Sequence, residues 1–367
     1  MEKILELCTD EVIRPHLYRL RESADRFEFD ELIRANPGIK IFDQIESQLR
    51  EVIKCLNPSS QIAPEDYPKL ISNHLQGLHM YDYGVWVYYP WNNHLVHCLD
   101  QEEFVKLRTN RNCNKITPSE QKVLAGKIIG IIGLSVGQSI ALTMAMERTC
   151  GEIRLADFDS AELSNLNRLR TGIHNLGVNK AVIAAREIAE IDPFIDVKIF
   201  TEGVTAENID SFFTHGGRLD LLVEVCDGLE IKIKSRLKAR ELKIPVIMDT
   251  NDRGMLDVER FDLEPERSLF HGLIDGHLDQ GGNIVTSPDQ KLQMLMALVS
   301  FEFASDRLKS SMAEIGKTIT TWPQLASSVV LGGGITTDLS RRILLNQHSE
   351  SGRYYADMDE VLARNRL

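Results

Sequence analysis

Acids, amides and cations that could bind a nucleotide follow one another between residues 157 and 227 of a chain of 367 residues. One carboxylate of the pair Asp157 and Asp159 could bind ribose hydroxyls, while Asp227 could hold Mg²⁺, which prefers oxygen ligands. Cations and amides bind and polarise phosphates, and residues of these types occur in the same region: Asn165, Arg168 and Lys180. Taken together, these residue types predict an ATP site.

A glycine-rich turn lies ahead of these residues, with Gly133, Ser135 and Gly137 as its defining positions. It follows the apolar run 127–132 and precedes a helix predicted over 138–149. Glycine lets the backbone approach a phosphate group, and the first turn of a helix offers free N–H groups to it. A second apolar run then leads into the acid pair. This order of strand, turn, helix and acid predicts the first half of a nucleotide-binding βαβ unit.

The rest of the chain continues the alternation of strands and helices. Strands are predicted at about residues 128, 153, 197, 221 and 246. This alternation predicts an α/β fold, a Rossmann-like doubly wound and mainly parallel sheet, with Asp227 at the carboxyl end of the fourth strand. Residues 254–261 alternate apolar and polar side chains and indicate a later, antiparallel strand. Helices are expected at 289–309 and 323–345, and the tail after Asn346 is expected to be peripheral.

The first third of the chain has a different pattern of predicted secondary structure. Residues 1 to about 60 are predicted to be helical, and the aromatic run 81–100 predicts a pair of strands. His94, His97 and Cys98 lie within this pair, but alternate strand positions face opposite sides, so a metal site there is disfavoured. The expected domains are an N-terminal accessory region (1–107), a nucleotide-binding domain (108–281) and a C-terminal helical segment (282–367).

Composition narrows the classes of function. The formal net charge is −12, so nucleic acid is an unlikely partner, because an acidic surface repels phosphate backbones. No apolar run reaches the roughly 20 residues that span a bilayer, and the start lacks a signal-peptide pattern, so no membrane association and a cytoplasmic location are expected. The six cysteines form no C-x-x-C pair, which disfavours a thiolate zinc site.

Two other types of enzyme share parts of this pattern. Gly133 to Gly137 reads Gly-x-Ser-x-Gly, the turn that presents a nucleophilic serine in some hydrolases, but no convincing partner acid and histidine follow Ser135. A nicotinamide-dependent oxidoreductase is the stronger rival, because Asp157 comes 20 residues after Gly137, where a ribose ligand is expected. That alternative leaves the second acid, Asp159, and Lys180 unexplained.

The motifs taken together resemble the ThiF/MoeB superfamily of adenylating enzymes, which are related to ubiquitin-activating enzymes. Members carry a glycine-rich turn, an acid-x-acid strand end, a Ser-Asn-Leu-x-Arg segment, a following lysine and an aspartate after the fourth strand. The similar segments here are 133–137, 157–159, 164–168, Lys180 and Cys226-Asp227. More closely still, the chain resembles a bacterial ThiF-type group, some of whose members carry an appended nitroreductase domain.

The resemblance implies ATP- and Mg²⁺-dependent adenylation of a carboxylate, such as the C-terminus of a protein, peptide or small carrier protein. It implies that Asp227 binds magnesium and Asp159 the ribose. Residues 108–112 resemble an Arg-x-x-Arg-Gln segment, so Arg111 would reach the ATP site of a second subunit in a homodimer. Residues 323–345 resemble the late family helix that packs back on the sheet.

Two departures from the family pattern bear on the chemistry. The glycine turn is one residue shorter than the usual form, with Ser135 where a glycine is expected, and no cysteine follows Cys226. The resemblance therefore points to the branch that adenylates without a cysteine of its own. The shortened turn motivates one alternative, a nucleotide-binding or scaffold subunit without catalysis.

Overall fold

The computed structural model describes residues 12–277, 288–298 and 300–364. The described chain divides into two compact units. The first comprises the described residues up to Pro118 together with Ala189–Phe194, and the second comprises Ser119–Ile188 with the described residues from Ile195 onward. Along the described chain, no helix is long and apolar enough to cross a membrane.

A four-stranded sheet organises the first unit. Its strands are β1 (His16–Tyr18), β2 (Lys40–Asp43), β3 (Val85–Tyr89) and β4 (His94–Cys98), in the order β1-β3-β4-β2. Strands β3 and β4 form an antiparallel pair, which confirms the aromatic hairpin predicted within 81–100. The helices of this unit are α1 (Ser23–Ala35), α2 (Ile45–Leu56), α3 (Tyr67–Leu75) and α4 (Gln101–Arg108).

The prediction that residues 1 to about 60 are helical is wrong at β1 and β2, and residues 1–11 lie outside the described chain. Strand β2 pairs parallel with β4, and Phe42 packs its ring against His94 at 5.0 Å between ring centroids. Tertiary pairing with the hairpin therefore overrides the helical spacing of this region. The buried ring of His97 contacts Asp43 through Nδ1 at 3.0 Å and the Tyr83 carbonyl through Nε2 at 2.7 Å, a structural role.

A seven-stranded sheet organises the second unit. Its strands are β5 (Ile128–Ile132), β6 (Glu152–Ala156), β7 (Asp196–Phe200), β8 (Leu221–Glu224), β9 (Val246–Asp249), β10 (Met255–Glu259) and β11 (Gly352–Tyr355). Their order is β11-β10-β9-β8-β5-β6-β7. Strands β5 to β9 pair in parallel, and β10 runs antiparallel to both of its neighbours. The predicted parallel sheet and the later antiparallel strand are thus confirmed.

The helices of the second unit follow the predicted order. They are α5 (Pro118–Leu124), α6 (Leu134–Glu147), α7 (Lys180–Ile191), α8 (Ile209–Thr214), α9 (Leu229–Glu241), α10 (Pro288–Leu298), α11 (Asp306–Met312), α12 (Ala326–Leu344) and α13 (Met358–Arg364). Helix α12 packs on α6 through Gly333, where an added Cβ would lie 2.6 Å from Ser139 Oγ. Helices α10 and α11 lie in the region where helices were expected at 289–309, and α11 continues beyond it to Met312. The expectation of a peripheral tail is wrong, because β11 pairs along β10 and extends the sheet.

A buried ionic network joins strands β8 and β10 to helix α9. Arg236 donates to Glu224 and to Glu259 at 2.6 Å each, and all three side chains are fully buried. Lys232 also contacts Glu224 at 2.9 Å. Buried charges are tolerated only when paired and hydrogen-bonded, so each of these groups depends on the others.

Replacing Arg236 with methionine should lower the free energy of unfolding by about 3–5 kcal/mol, because two buried carboxylates lose their shared cation. Urea unfolding followed by circular dichroism measures the change. Lys234→Met on the same helix is the matched control, since its pair with Glu230 is exposed and should be worth less than about 1 kcal/mol. Equal effects of the two substitutions would contradict the role of the network.

Candidate nucleotide-binding site

The turn before α6 needs a glycine at its first position. Gly133 has φ +89°, and an added Cβ would lie 2.7 Å from the backbone nitrogen of Cys226. Its own N–H donates to the Ala156 carbonyl at 2.9 Å. The start of α6, the end of β6 and the segment after β8 therefore meet at this residue. Gly137 lies one turn further along α6, where a Cβ would lie 2.8 Å from Ile131 Cγ2, so that glycine lets the helix approach β5.

The carboxylate of Asp157 connects the glycine turn to the second acid. Its Oδ2 accepts a hydrogen bond from Leu134 N at 2.6 Å, and its Oδ1 accepts one from Asp159 N at 2.8 Å. The side chain is buried, and this burial raises the pKa of Asp157, while the two N–H donors oppose the shift. Because both carboxylate oxygens already accept backbone hydrogen bonds, Asp157 has a positioning role. Contact between Asp157 and ribose stays a prediction.

Asp159 is more accessible than Asp157, and it pairs with Lys180. Lys180 Nζ lies 2.8 Å from Asp159 Oδ2, and the Lys180 side chain is 5% exposed while that of Asp159 is 53% exposed. The backbone holds the two residues together as well, because Lys180 N donates to the Asp159 carbonyl at 2.9 Å. The structure thus brings together an accessible acid and a buried cation, as the sequence predicted for one site.

The polar cluster 164–168 lies in and just after a short helical turn, Leu163–Asn167. Asn165 is used in the turn itself, since its Oδ1 accepts a hydrogen bond from Glu162 N at 3.1 Å. Arg168 donates to Asn167 Oδ1 at 2.8 Å, and its Nε is buried without a hydrogen-bond partner. Burial lowers the pKa of Arg168, and the charge of Asp227 opposes this shift. Arg168 and Asp227 are therefore within electrostatic reach of each other.

Asp227 opens onto a large cavity of the second unit. The cavity has a volume of about 1560 Å³ and is lined by the segments that follow β8 and β9, by α11 and by the approach to α12. Asp227 is exposed there, whereas the neighbouring Cys226 is half-buried. Ser135 is half-buried in the first turn of α6. In the described part of the chain, no cluster of three or more His, Cys, Asp or Glu residues could hold a metal by itself.

Two residues of this cavity, Asp249 and Asn251, were not predicted from the sequence. Asp249 is 4% exposed, and burial raises its pKa to about 6, against the effect of the Asn251 N–H that donates to its Oδ1 at 2.9 Å. Its Oδ2 and the Oδ1 of Asn251 are buried without hydrogen-bond partners. The available signal was an aspartate directly ending the predicted fifth strand, as Asp157 and Asp227 follow earlier strands.

A strained turn holds these two residues in place. Asn251 and Arg253 have φ values of +60° and +53°, a left-handed conformation that is costly for residues other than glycine. Ion pairs from Arg253 to Asp357 and Glu360 brace the turn. The C-terminal residues that were expected to be peripheral therefore support the wall of the cavity.

Arg111 belongs to the first unit, where it is exposed in the short helical turn Asn110–Asn112. Its predicted action on the ATP site of a second subunit stays a prediction. The neighbouring Arg108 is paired with Asp192 at 3.2 Å within the same unit.

The second unit is a Rossmann-like α/β domain with a glycine turn and polar side chains at the carboxyl edge of its sheet. Residues 107–273 match the model of the ThiF family, so the chain contains a ThiF-family domain.

Known proteins share this similarity to different extents. An uncharacterized protein of Mycobacterium tuberculosis is 38% identical over 90% of this chain, and the chain spans 44% of that relative's length. The tRNA threonylcarbamoyladenosine dehydratase of Bacillus subtilis is 22% identical over 64% of this chain and 95% of its own length. A solved structure of the E. coli tRNA N6-threonylcarbamoyladenosine dehydratase with ATP has a TM-score of 0.46 at 16% identity, covering 66% of this chain and 95% of that one.

Replacing Asp157 with asparagine should destabilise the site, because an amide offers one oxygen to two backbone N–H groups and leaves one of them unpaired. An unsatisfied buried donor costs about 1–3 kcal/mol, and urea unfolding measures the loss. Asp227→Asn is the control, because the same change is made there on an exposed side chain at the end of a neighbouring strand. If Asp157→Asn unfolded at the same urea concentration as the parent, the bracing role would be wrong.

Asp249→Asn should change stability in a pH-dependent way. The carboxyl pKa is raised to about 6 by burial, so ionising it in the folded chain costs about 3 kcal/mol relative to the unfolded chain. This cost is absent below pH 4, grows between pH 4 and 6, and is complete above pH 6. We therefore expect the asparagine variant to be more stable than the parent at pH 7.5 and nearly equal to it at pH 4. Urea unfolding at the two pH values measures the difference, and a gain that did not depend on pH would contradict this assignment.

Proposed function

We propose that the chain catalyses ATP- and Mg²⁺-dependent adenylation of a carboxylate. The observation that carries the proposal is Arg168, a half-buried cation whose Nε has no partner and whose charge interacts with Asp227 in the cavity wall. An unpartnered buried donor within electrostatic reach of an exposed acid fits a phosphate and its metal ion. Membership of the domain in the ThiF family supports the same chemistry.

The residues around the glycine turn fit the parts of ATP. The N–H of Leu134 is held by Asp157, and the N–H groups that follow it in the first turn of α6 suit a phosphate. Asp159 would accept hydrogen bonds from the ribose hydroxyls. Lys180, now held by Asp159, would bind a phosphate together with Arg168, and Asn165 would add an amide contact.

Asp227 fits the proposed magnesium ion. Mg²⁺ is commonly bound by one or two carboxylates, with substrate phosphates and water completing its six ligands. A single exposed carboxylate next to a phosphate site therefore suffices. When bound, the ion would neutralise charge on the phosphate oxygens and the departing pyrophosphate.

In the proposed reaction, a carboxylate oxygen of the acyl substrate attacks the α-phosphorus of ATP. The bond from that phosphorus to the bridging oxygen of pyrophosphate breaks, giving an acyl-adenylate and pyrophosphate. Negative charge shifts onto phosphate oxygens during this step, and Arg168 and Lys180 would stabilise it. The cavity lined by Asp227 offers room for the end of the acyl substrate, which would be the C-terminus of a protein, a peptide or a small carrier protein.

Cys226 is poorly suited to receive the acyl group in a thioester. Burial raises the pKa of the Cys226 thiol well above its usual range, and the nearby charge of Glu224 raises it further. The thiolate is the nucleophilic form, so this thiol is unreactive at neutral pH. The acceptor that discharges the adenylate would therefore come from another molecule. In the proposed homodimer, Arg111 of a second copy would complete the ATP site.

Asp227→Asn should reduce carboxylate-dependent ATP–pyrophosphate exchange by at least about 100-fold, because it removes the negative charge of the proposed metal ligand while leaving the shape of the strand end unchanged. Exchange of labelled pyrophosphate into ATP, with a pool of peptides as acyl donors, is the measurement. Glu230→Gln is the matched control: it removes an exposed acid from the first turn of α9 and should retain full exchange.

Full exchange by Asp227→Asn would overturn the magnesium assignment. Calorimetry with ATP and Mg²⁺ addresses the alternatives, since an absence of ATP binding would favour a scaffold subunit, and tighter binding of NADH than of ATP would favour an oxidoreductase.

The dehydratase relative of B. subtilis is named for a tRNA substrate. The net charge of −12 argues against tRNA for this chain.

A further inference from the structure

A glutamine is buried in helix α6 shortly after the glycine turn. Gln138 is 1% exposed, and most of the helix positions around it are apolar and buried. Burying an amide is unfavourable unless its donors and its acceptor are hydrogen-bonded. The partners of this side chain therefore indicate what it contributes to the fold.

The side-chain amide of Gln138 pairs with the backbone of Arg170. Its Nε2 donates to the Arg170 carbonyl at 3.0 Å, and its Oε1 accepts from the Arg170 N–H at 2.9 Å. Nε2 also donates to Glu187 Oε2 on α7 at 2.6 Å. Both N–H groups and the oxygen of the amide are thus used, and a single side chain satisfies both backbone groups of Arg170.

Arg170 lies two residues after Arg168, the cation that would bind phosphate in the proposed function. Leu169, between the two arginines, is 4% exposed and packs in a small apolar cluster with a side chain of α7. Arg168 N and Leu169 N both donate to the Asn165 carbonyl. Residues 168–172 lie outside any helix or strand, so the position of this segment depends on these contacts and on Gln138.

The guanidinium of Arg168 has a separate contact with Asn167. It donates to Asn167 Oδ1 at 2.8 Å, and Asn167 Nδ2 donates in turn to the Gln324 carbonyl at 2.8 Å. Asn167 is exposed, whereas Gln138 is buried. Hydrogen bonds at exposed positions compete with water, so the buried contact is the stronger constraint on the segment that carries Arg168.

Helix α6 therefore contacts both parts of the proposed phosphate site. Its first turn follows Gly133 and would offer N–H groups to a phosphate, and Gln138, about one turn further along, holds the backbone next to Arg168. A single rigid element thus sets the spacing between these N–H groups and Arg168. An apolar side chain would fill the same space, but it would leave the N–H and the carbonyl of Arg170 unpaired.

We propose that Gln138 is a positioning residue for Arg168, which it holds so that Arg168 and the first turn of α6 bind the same triphosphate. The inference rests on the proposed function, in which Arg168 binds phosphate. Gln138 itself would touch neither the nucleotide nor the metal ion, and it would act through the backbone of Arg170. Its effect on ATP binding should therefore depend on the presence of the Arg168 side chain.

Hydrogen exchange in the chain without nucleotide tests the contact itself. Gln138→Met keeps the length of the side chain but removes its hydrogen-bonding groups, so the Arg170 N–H should exchange at least about 10-fold faster. Gln121→Met is the matched control. Gln121 donates to the Arg148 carbonyl at 2.8 Å, at the other end of α6, and its replacement should leave exchange at Arg170 unchanged. Unchanged exchange at Arg170 in Gln138→Met would overturn the inference.

A double-mutant cycle of ATP affinity tests whether Gln138 acts through Arg168. Calorimetry should show that Gln138→Met weakens binding of ATP with Mg²⁺ by about 10-fold in the parent chain, and by less than about 2-fold in a chain that already carries Arg168→Met. Equal losses in the two backgrounds would contradict the inference, because they would reveal an effect on the fold that does not depend on Arg168.

Gln138→Asn is the second variant if Gln138→Met does not fold. It keeps the amide but shortens the side chain by one methylene group, so that the amide no longer reaches Arg170, and the same changes in exchange and affinity are expected. Failure of the parent chain to bind ATP would overturn the proposed function instead. Faster exchange at Arg170 in the variant would still show that Gln138 holds the segment that carries Arg168.

Discussion

The carboxylate of Asp157 is the interaction on which the proposed nucleotide site depends. One oxygen holds the first N–H of α6 and the other holds the N–H of Asp159, so a single buried group sets the distance between the glycine turn and the accessible acid. Asp159 in turn holds Lys180 at the start of α7. Because these contacts form a chain, displacing Asp157 would displace the cation and the acid together.

Close backbone approach is the second constraint, and glycine satisfies it at two places at the edge of the main sheet. Gly133 brings the turn before α6 against Cys226, and therefore next to Asp227. Gly332 lets α12 rest against Asp249 and Asn251. At each place a side chain would occupy the position of an atom already present. Helices α6 and α12 can therefore approach the carboxyl edge of the sheet closely.

The turn after β9 is the energetically unfavourable part of this sheet edge. Asp249 is buried with its pKa raised to about 6, Asn251 and Arg253 take left-handed conformations, and the C-terminal residues Asp357 and Glu360 brace Arg253. Strained backbone and an unsatisfied buried acid tend to occur where function requires them. The turn after β9 is therefore a candidate part of the proposed site, in addition to the glycine turn.

The sequence by itself determined the positions of the parallel strands along the chain, the glycine turn and the polar residues at the strand ends. Local apolar runs and glycines are enough to indicate these features. It also indicated the antiparallel strand β10. Only the tertiary structure showed that β2 joins a sheet although its residues fit a helix, and that β11 extends the main sheet. It also showed that Asp157 is hydrogen-bonded through both oxygens while Asp159 is accessible. Finally, it placed Asp249 and Asn251 in the wall of the cavity that Asp227 also lines. Each of these depends on contacts between segments far apart in the chain, and periodicity and residue type carry no information about such contacts.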